Sequence, residues 1–225
     1  MTASSAQGFR RLFSGLLQSV PHQISENNRH RKWAEFNQAF PTVAEWSVID
    51  VGFGPGGMGK NENYFEKHYL YPNRITALTI SEIGDSPSRY PGVNIVKYDG
   101  KKIPFADGNF DFLWSNAVVE HVGGGQSQIN FLREVDRVAD RHFVTTPNRW
   151  FPWEVHTRLP LVHYLPKPWF DRIATKAGMG WATGDYMNLM SKKQFEAALL
   201  AAGISDYQII TNRFMGIPMD FVAIW

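Results

Sequence analysis

Val48-Ile-Asp-Val-Gly-Phe-Gly-Pro-Gly-Gly57 is the stretch that decides how this chain folds. A β-branched run reaches an acid, Asp50, and then opens into four glycines within six residues, at positions 52, 54, 56 and 57. The pattern reads as a buried strand feeding a tight loop and a helix. Glycine lets the backbone turn sharply there and lets a ligand approach where a Cβ would stand, close to a helix N-terminus. Gly52-x-Gly54-x-x-Gly57 also satisfies the dinucleotide fingerprint. Asp50 weighs against a pyrophosphate, because a carboxylate at the mouth of the strand repels negative charge and attracts a cationic ligand. The plainer alternative is an Asp that only caps loop amides.

Upstream of this stretch, Pro21 ends a first helix, and a second over 26–40, with Trp33 and Phe36 on its buried side, leads to Pro41. Together they predict an N-terminal helical cap over residues 1–45. Downstream, strands are expected at 47–51, 74–80, 93–98, 110–115 and 142–146, with helices over 57–69 and 126–139. After a long irregular stretch, a helix over 191–203 precedes strands at 207–211 and 220–225. Alternating strands and helices predict one α/β domain over 1–225. Its expected core is a doubly wound, mostly parallel, seven-stranded sheet with helices on both faces and an antiparallel C-terminal hairpin. The ligand crevice of such a sheet lies beyond the carboxyl ends of the strands, where strand order reverses.

Asp50-x-Gly52-x-Gly54-x-Gly56 resembles the first motif of class I S-adenosylmethionine-dependent methyltransferases, a family with a Rossmann-like sheet closed by an antiparallel strand. The resemblance implies S-adenosylmethionine as cofactor. It implies that Asp50, Gly52, Phe53, Gly54 and Gly56 form the loop at the methionine end. Asn94-Ile-Val-Lys-Tyr-Asp99-Gly100, followed by Ile103-Pro104-Phe105 and Asn109-Phe-Asp111, is similar to the family's run between strands three and four, making Asp99 and Gly100 the adenine contact. Trp114-Ser-Asn-Ala-Val-Val-Glu-His121 resembles the segment after strand four, placing Ser115 and Asn116 at the methyl-donor end. Strand two departs from the pattern. Thr79, followed by Ile80, stands where the family usually carries an acid for both ribose hydroxyls, and Glu82 is the nearest carboxylate. An Asn/Asp-Pro-Pro-aromatic sequence is absent after strand four, which argues against nucleobase amines as acceptors.

Methyl transfer from a sulfonium needs alignment, exclusion of water and removal of a proton from the acceptor, for which histidine has a suitable pKa. The resemblance puts His121 near the transferred methyl; His156 and His163 lie in the long segment after strand five. Residues 148–190 hold Trp150, Phe151, Trp153, Tyr164, Trp169 and Phe170 and read as a substrate lid. A small satellite core is the alternative. Glu154, His156 and His163 match no standard ligand spacing, so no metal is expected. The expected reaction is methyl transfer to a small-molecule acceptor, a hydroxyl of a sugar or secondary metabolite, with His121 and His156 as candidate catalytic residues. An N-methyltransferase acting on a small amine, a non-catalytic cofactor-binding partner and a nicotinamide-dependent oxidoreductase are the rivals.

Composition sets outer bounds. With 225 residues, 44% of them hydrophobic, the chain suits one substantial core. Its zero cysteines exclude disulfides, thiolate metal sites and a Cys nucleophile, and suit a reducing cytoplasm. A net charge of +2 is too small for a nucleic-acid footprint. Phe9, Leu12, Phe13, Leu16, Leu17 and Val20 form an apolar helical stripe whose cover is its own domain, a second copy of the chain in a homodimer, or a membrane surface.

Overall fold

The computed structural model describes residues 24–40, 44–57, 59, 62–153 and 161–225; the stripe of residues 9–20, and His156, lie outside them. Helix α1 covers 24–39. It is followed by β1 (Val48–Val51), α2 (Tyr64–His68), β2 (Ile75–Thr79), α3 (Ser86–Arg89), β3 (Asn94–Lys97), β4 (Phe112–Asn116), α4 (Gln126–Val138) and β5 (His142–Pro147). Helices α5 (Lys167–Lys176) and α6 (Lys192–Ala202) then lead to β6 (Gln208–Phe214) and β7 (Ile217–Ile224).

The strands form one seven-stranded sheet in the order β3-β2-β1-β4-β5-β7-β6. The first five are mutually parallel, and β7 runs antiparallel to both β5 and β6. This is the doubly wound, mostly parallel sheet with an antiparallel C-terminal pair that the strand and helix rhythm predicts. Strand order reverses between β1 and β4, where Asp50 sits level with Ala77 on one side and Trp114 on the other. All four residues of β1 and all five of β2 are buried. A strand covered on both faces must be apolar throughout, hence the near-continuous β-branched runs.

Successive side chains leave a strand on opposite faces. Ile49, Val51, Leu113, Val144 and Phe221 point to one face, where Leu132 and Val135 of α4 and Phe195 and Leu199 of α6 cover them. Val48, Phe112, Trp114, Phe143 and Val222 point to the other, beneath Phe36 of α1, Phe40 just after it and Phe65 of α2. Helix α6 is delimited by its sequence: Ser191 and Gln194 form a reciprocal capping box, and Gly203 ends it at φ 102°.

Three departures from the sequence reading have local causes. The helix expected over 57–69 is reduced to Tyr64–His68, because Asn63 takes a left-handed conformation (φ 49°) and its side chain turns back to the glycine loop. Helix α3 is a single turn, too short for a hydrophobic period to reveal. Helix α5 lies inside the segment expected to be irregular, and its aromatic residues divide between burial (Phe170) and exposure (Trp169). Among the described residues no helix is long and apolar enough to cross a membrane.

Phe36 is the centre of the α1 face. It is 1% exposed, and its ring lies within 6.0 Å of the rings of Trp33, Phe40, Phe65, Phe112, Trp114 and Phe143. Phe36→Ala leaves a void that these rings cannot close, and should cost about 3–5 kcal/mol in urea denaturation. Leu200→Ala, at an exposed position of α6, should change stability by less than about 0.5 kcal/mol.

Candidate active site

The carboxyl end of β1 opens into a cavity of about 450 Å³ at the strand-order reversal. Its walls come from five directions. Asp50, Val51, Gly52, Gly54, Gly56 and Gly57 supply the strand end and glycine loop; Glu62 to Glu66 supply the approach to α2 and its first turn. Arg29 and Lys32 come from α1, Ser81 and Glu82 from beyond β2, and Trp114 and Asn116 from β4.

The loop is held by its neighbours. Gly52 and Phe53 donate their backbone N–H groups to the Leu78 carbonyl at 3.2 and 2.9 Å. Asn63 accepts from Gly54 N–H at 3.0 Å and donates to the Gly54 carbonyl at 2.9 Å and to the Tyr90 hydroxyl at 2.9 Å. From α3, Arg89 and Ser86 donate to the Pro55 carbonyl.

The glycines divide into two kinds. Gly52 has φ +124°, and a Cβ there would come within 2.4 Å of Val118 Cγ2. A Cβ at Gly57 would meet Glu62 Cβ at 2.9 Å and the Gly54 carbonyl at 3.0 Å. These two are required by the fold itself. At Gly54 the nearest atom to a Cβ would be Asn63 Oδ1 at 3.7 Å, and at Gly56 nothing stands within 4 Å. Folding does not demand glycine at either, and both border the cavity.

Buried charge of both signs surrounds that space. Asp50 and Glu66 are each 6% exposed and both border the cavity. Burial, together with repulsion from Glu66 and a proton shared with it, pushes the Asp50 carboxyl well above the usual carboxylate range. Burial also raises Glu66. Across the cavity, the Lys32 ammonium donates to Asn116 Oδ1 at 3.0 Å and Thr145 Oγ1 at 3.1 Å, and lies 3.4 Å from Asp220 Oδ2. Asp220 is held in turn by Asn28 and by Asn212 Nδ2 at 3.0 Å, and Asn212 also donates to Glu35 at 3.1 Å. Burial pushes the Glu35 carboxyl upward, the Asn212 hydrogen bond opposing it.

Of the residues singled out from sequence, Asp50, Gly52, Gly54, Gly56 and Asn116 come together on this cavity. Phe53 turns into the core against Tyr90, ring centroids 5.3 Å apart. Ser115 is fully buried in the sheet between Trp114 and Asn116, both of which reach the cavity. Thr79 is 3% exposed, and its hydroxyl accepts from Ser81 N–H at 3.1 Å, so it closes its own turn. Ile80, 66% exposed, lies beside Gly100, whose added Cβ would meet Ile80 Cγ2 at 3.2 Å. Asp99 is exposed and accepts from the backbone N–H groups of Lys101 and Lys102 at 2.9 and 3.2 Å, which lower its carboxyl below the usual range. Ile80, Asp99 and Gly100 thus form an open shelf outside the cavity wall.

His121 borders no cavity described here; its Nδ1 donates to the Tyr186 carbonyl at 3.0 Å and its Nε2 lies 3.9 Å from Glu120 Oε1. His163 borders a second, larger cavity of about 900 Å³ between α4, α6 and the 149–190 segment. That cavity mixes Ile129, Leu165, Phe170, Leu189 and Met190 with Gln128, Arg149, Asp171 and Asn188. The connection from Asn116 to Gly124 joins the two cavities along the chain. Among the described residues, no group of three His, Asp or Glu side chains is arranged to hold a metal ion. Sequence reasoning missed Glu66, Asn63, Arg29 and Lys32. Their only signal was polarity on helices otherwise read for their apolar faces.

Residues 49–142 match the methyltransferase domain family. A malonyl-[acyl-carrier protein] O-methyltransferase of Enterobacter lignolyticus is 27% identical over 117 residues, 51% of this chain and 44% of that protein, so the chain spans less than half the length of this curated relative. An S-adenosylmethionine-dependent methyltransferase from Mesorhizobium loti superposes with a TM-score of 0.57 at 14% identity, over 86% of this chain and 96% of the other. The 1,6-didemethyltoxoflavin-N1-methyltransferase of Burkholderia thailandensis gives 0.56 at 14% identity, over 100% and 90%. A geranyl diphosphate C-methyltransferase from Streptomyces coelicolor gives 0.55 at 15% identity, over 87% and 76%. Identities this low speak for the shared fold: the chain has the fold of S-adenosylmethionine-dependent methyltransferases, and its residues 49–142 match the methyltransferase domain.

Proposed function

We propose that the 450 Å³ cavity is the donor site and that the enzyme methylates a hydroxyl of a small molecule such as a sugar or secondary metabolite. One observation carries the donor assignment. The cavity faces its ligand with two buried carboxyls on one side and two basic groups on the other, as suits a ligand bearing ammonium, sulfonium and carboxylate charges. A pyrophosphate would meet Asp50 and Glu66 unfavourably, which counts against the nicotinamide alternative.

In this reading Gly54 and Gly56 leave room for the methionine portion, Asp50 and Glu66 face its cationic groups, and Arg29 and Lys32 face its carboxylate. Ser81 and Glu82 stand where ribose hydroxyls would be reached, in place of the acid that Thr79 does not supply. Ile80, Asp99 and Gly100 form the shelf on which adenine would lie. S-adenosylmethionine supplies a methyl on a sulfonium that is already electrophilic, so the chain's own work is alignment, exclusion of water and proton removal.

The acceptor is assigned to the larger cavity, whose apolar walls with a few polar groups suit a small organic molecule. The lid expected over 148–190 contributes Arg149, His163, Leu165 and Phe170 to it. His163 is the candidate base in this arrangement, while His121 ties the β4 connection to the 184–188 segment. The O-methyl transfer named for the Enterobacter relative supports an oxygen acceptor, while the 1,6-didemethyltoxoflavin enzyme, an N1-methyltransferase, keeps a nitrogen acceptor as the alternative. Asp171 on the same wall favours a second reading, methylation of a small amine.

Two glycine variants separate donor binding from folding. Gly56→Ala should leave stability unchanged or raise it by about 0.4–1 kcal/mol, while weakening S-adenosylmethionine binding on the order of tenfold or more in calorimetry. Gly52→Ala should instead destabilise by about 1–3 kcal/mol in thermal or urea unfolding.

A pH–rate profile on an identified acceptor tests the base. For a hydroxyl acceptor, kcat should fall on the acid side, and His163→Gln should remove that limb and lower kcat by roughly 10²–10⁴. A profile that follows the acceptor's own amine and ignores His163→Gln would establish the amine reading.

A further inference from the structure

The donor cavity holds one carboxyl more than its glycine loop accounts for. Glu66 projects from α2 into the same space as Asp50, is 6% exposed, and neither of its side-chain oxygens has a donor in hydrogen-bonding geometry. A buried carboxylate left without donors is costly, and structures retain one where a ligand or a shared proton offsets it. Here Asp50 is the buried carboxyl neighbour, close enough for Glu66 to raise its proton affinity.

We propose that Asp50 and Glu66 act together as a charge sensor that favours the sulfonium donor over the neutral thioether product. The proposal rests on the cavity being the donor site. In the ligand-free protein the pair carries one proton between two oxygens. S-adenosylmethionine brings a positive sulfonium that S-adenosylhomocysteine lacks, and both carry the same ammonium and carboxylate. The extra positive charge stabilises the doubly ionised pair, so the shared proton leaves to solvent as the donor binds. After transfer the positive charge is gone, one proton returns from solvent to the pair, and the product is held less tightly. Glu66 is thereby a specificity-determining residue for ligand charge.

Other charges face the pair. Arg29 and Lys32 approach from α1, Glu62 from the loop before α2, Glu82 from beyond β2, and Lys67 from α2 itself. Lys32 is engaged with Asn116, Thr145 and Asp220, Lys67 with the carbonyls of Gly59 and Glu62, and Glu82 with Lys97. Glu62 accepts from Gly59 N–H, and Arg29 donates to Ser25. Lys67 acts on Glu66 only through its charge, and none of these groups donates a hydrogen bond to the Glu66 carboxyl.

The test compares both ligands on wild type, Glu66→Gln and Asp50→Asn by calorimetry in two buffers of different ionisation enthalpy. Wild type should release a proton on binding S-adenosylmethionine and little or none on binding S-adenosylhomocysteine. Its affinity for the donor should rise with pH until the free pair is itself ionised, while affinity for the product stays flat. Glu66→Gln should weaken donor binding on the order of tenfold, change product binding by less than about threefold, and abolish the buffer dependence. Equal losses for the two ligands, or no proton release from wild type, would overturn the sensor while leaving the donor site standing. Failure of wild type to bind either ligand overturns the donor reading and the sensor with it.

Unfolding supplies a readout that needs no ligand. The folded pair keeps a proton that the unfolded chain has already lost, so wild-type stability should fall as pH rises from the ordinary carboxylate range through the raised range of the pair. Glu66→Gln should flatten that slope and melt no lower than wild type at neutral pH. A steeper slope, or a lower melting temperature with unchanged pH dependence, would show that Glu66 is structural.

Discussion

One sheet face is buried chiefly under the amphipathic helix α1, with Phe65 of α2 beside it, and the chemistry of the site follows from that cover. Helix α1 is divided along its length. Trp33, Phe36 and Phe40 pack on the aromatic side chains of β4, β5 and α2, while Asn28, Arg29 and Lys32 extend over the carboxyl ends of the same strands. The apolar half anchors the helix by burial, and the polar half is carried into place by that anchoring. The Asp50, Glu66, Lys32 and Asp220 side chains are thereby held largely out of bulk solvent. The same charges at an exposed surface would be screened and nearly neutral in effect.

That arrangement explains why the floor of the site is polar in a sheet otherwise filled with hydrophobic residues. The side chains of Asp50, Asn116, Thr145 and Asp220 belong to four strands, β1, β4, β5 and β7, and meet below α1. Lys32 lies against three of them, so the ammonium satisfies acceptors on β4, β5 and β7 at once. Removing one partner of such a network leaves a buried group unsatisfied, which is more damaging than the modest net worth of each hydrogen bond implies. The antiparallel placement of β7 matters here, because it brings Asp220 level with Pro147 at the carboxyl end of β5.

Much of this was legible in the sequence. The β-branched runs at 48–51, 75–79 and 142–147 are long enough, and flanked clearly enough, to be read as strands, and the glycine loop locates the order reversal. What could not be read falls into two physical classes. Short elements such as α3 carry no period. Side-chain direction and partnership were the second class: Ser115 and Asn116 read equally well as site residues, yet the pleat sends only Asn116 to the cavity. Thr79 and Asp99 likewise stand in the positions expected of them, but each is engaged by the backbone of its own turn. Glu66 and Lys32 were invisible because a polar residue on a short or amphipathic helix is ordinarily solvated.

The glycine loop and the carboxyl pair together divide the site into parts that serve folding and parts that serve a ligand. Gly52 and Gly57 are fixed by contacts with Val118, Glu62 and Gly54, and Asn63 fastens Gly54 from both its backbone groups. Nothing comparable constrains Gly56, and apart from its carboxyl neighbour Asp50 no hydrogen-bond donor of the fold reaches the Glu66 side chain. A site selected only for stability would fill the first with a side chain and replace the second with an apolar residue, each change being neutral or favourable to folding. Their presence together on one cavity wall is a local disagreement between folding and function, and it is what the donor-site proposal accounts for. If the cavity is the donor site, as proposed, ligand binding offsets that unfavourable energy through the same linkage that makes a bound state more stable than an empty one.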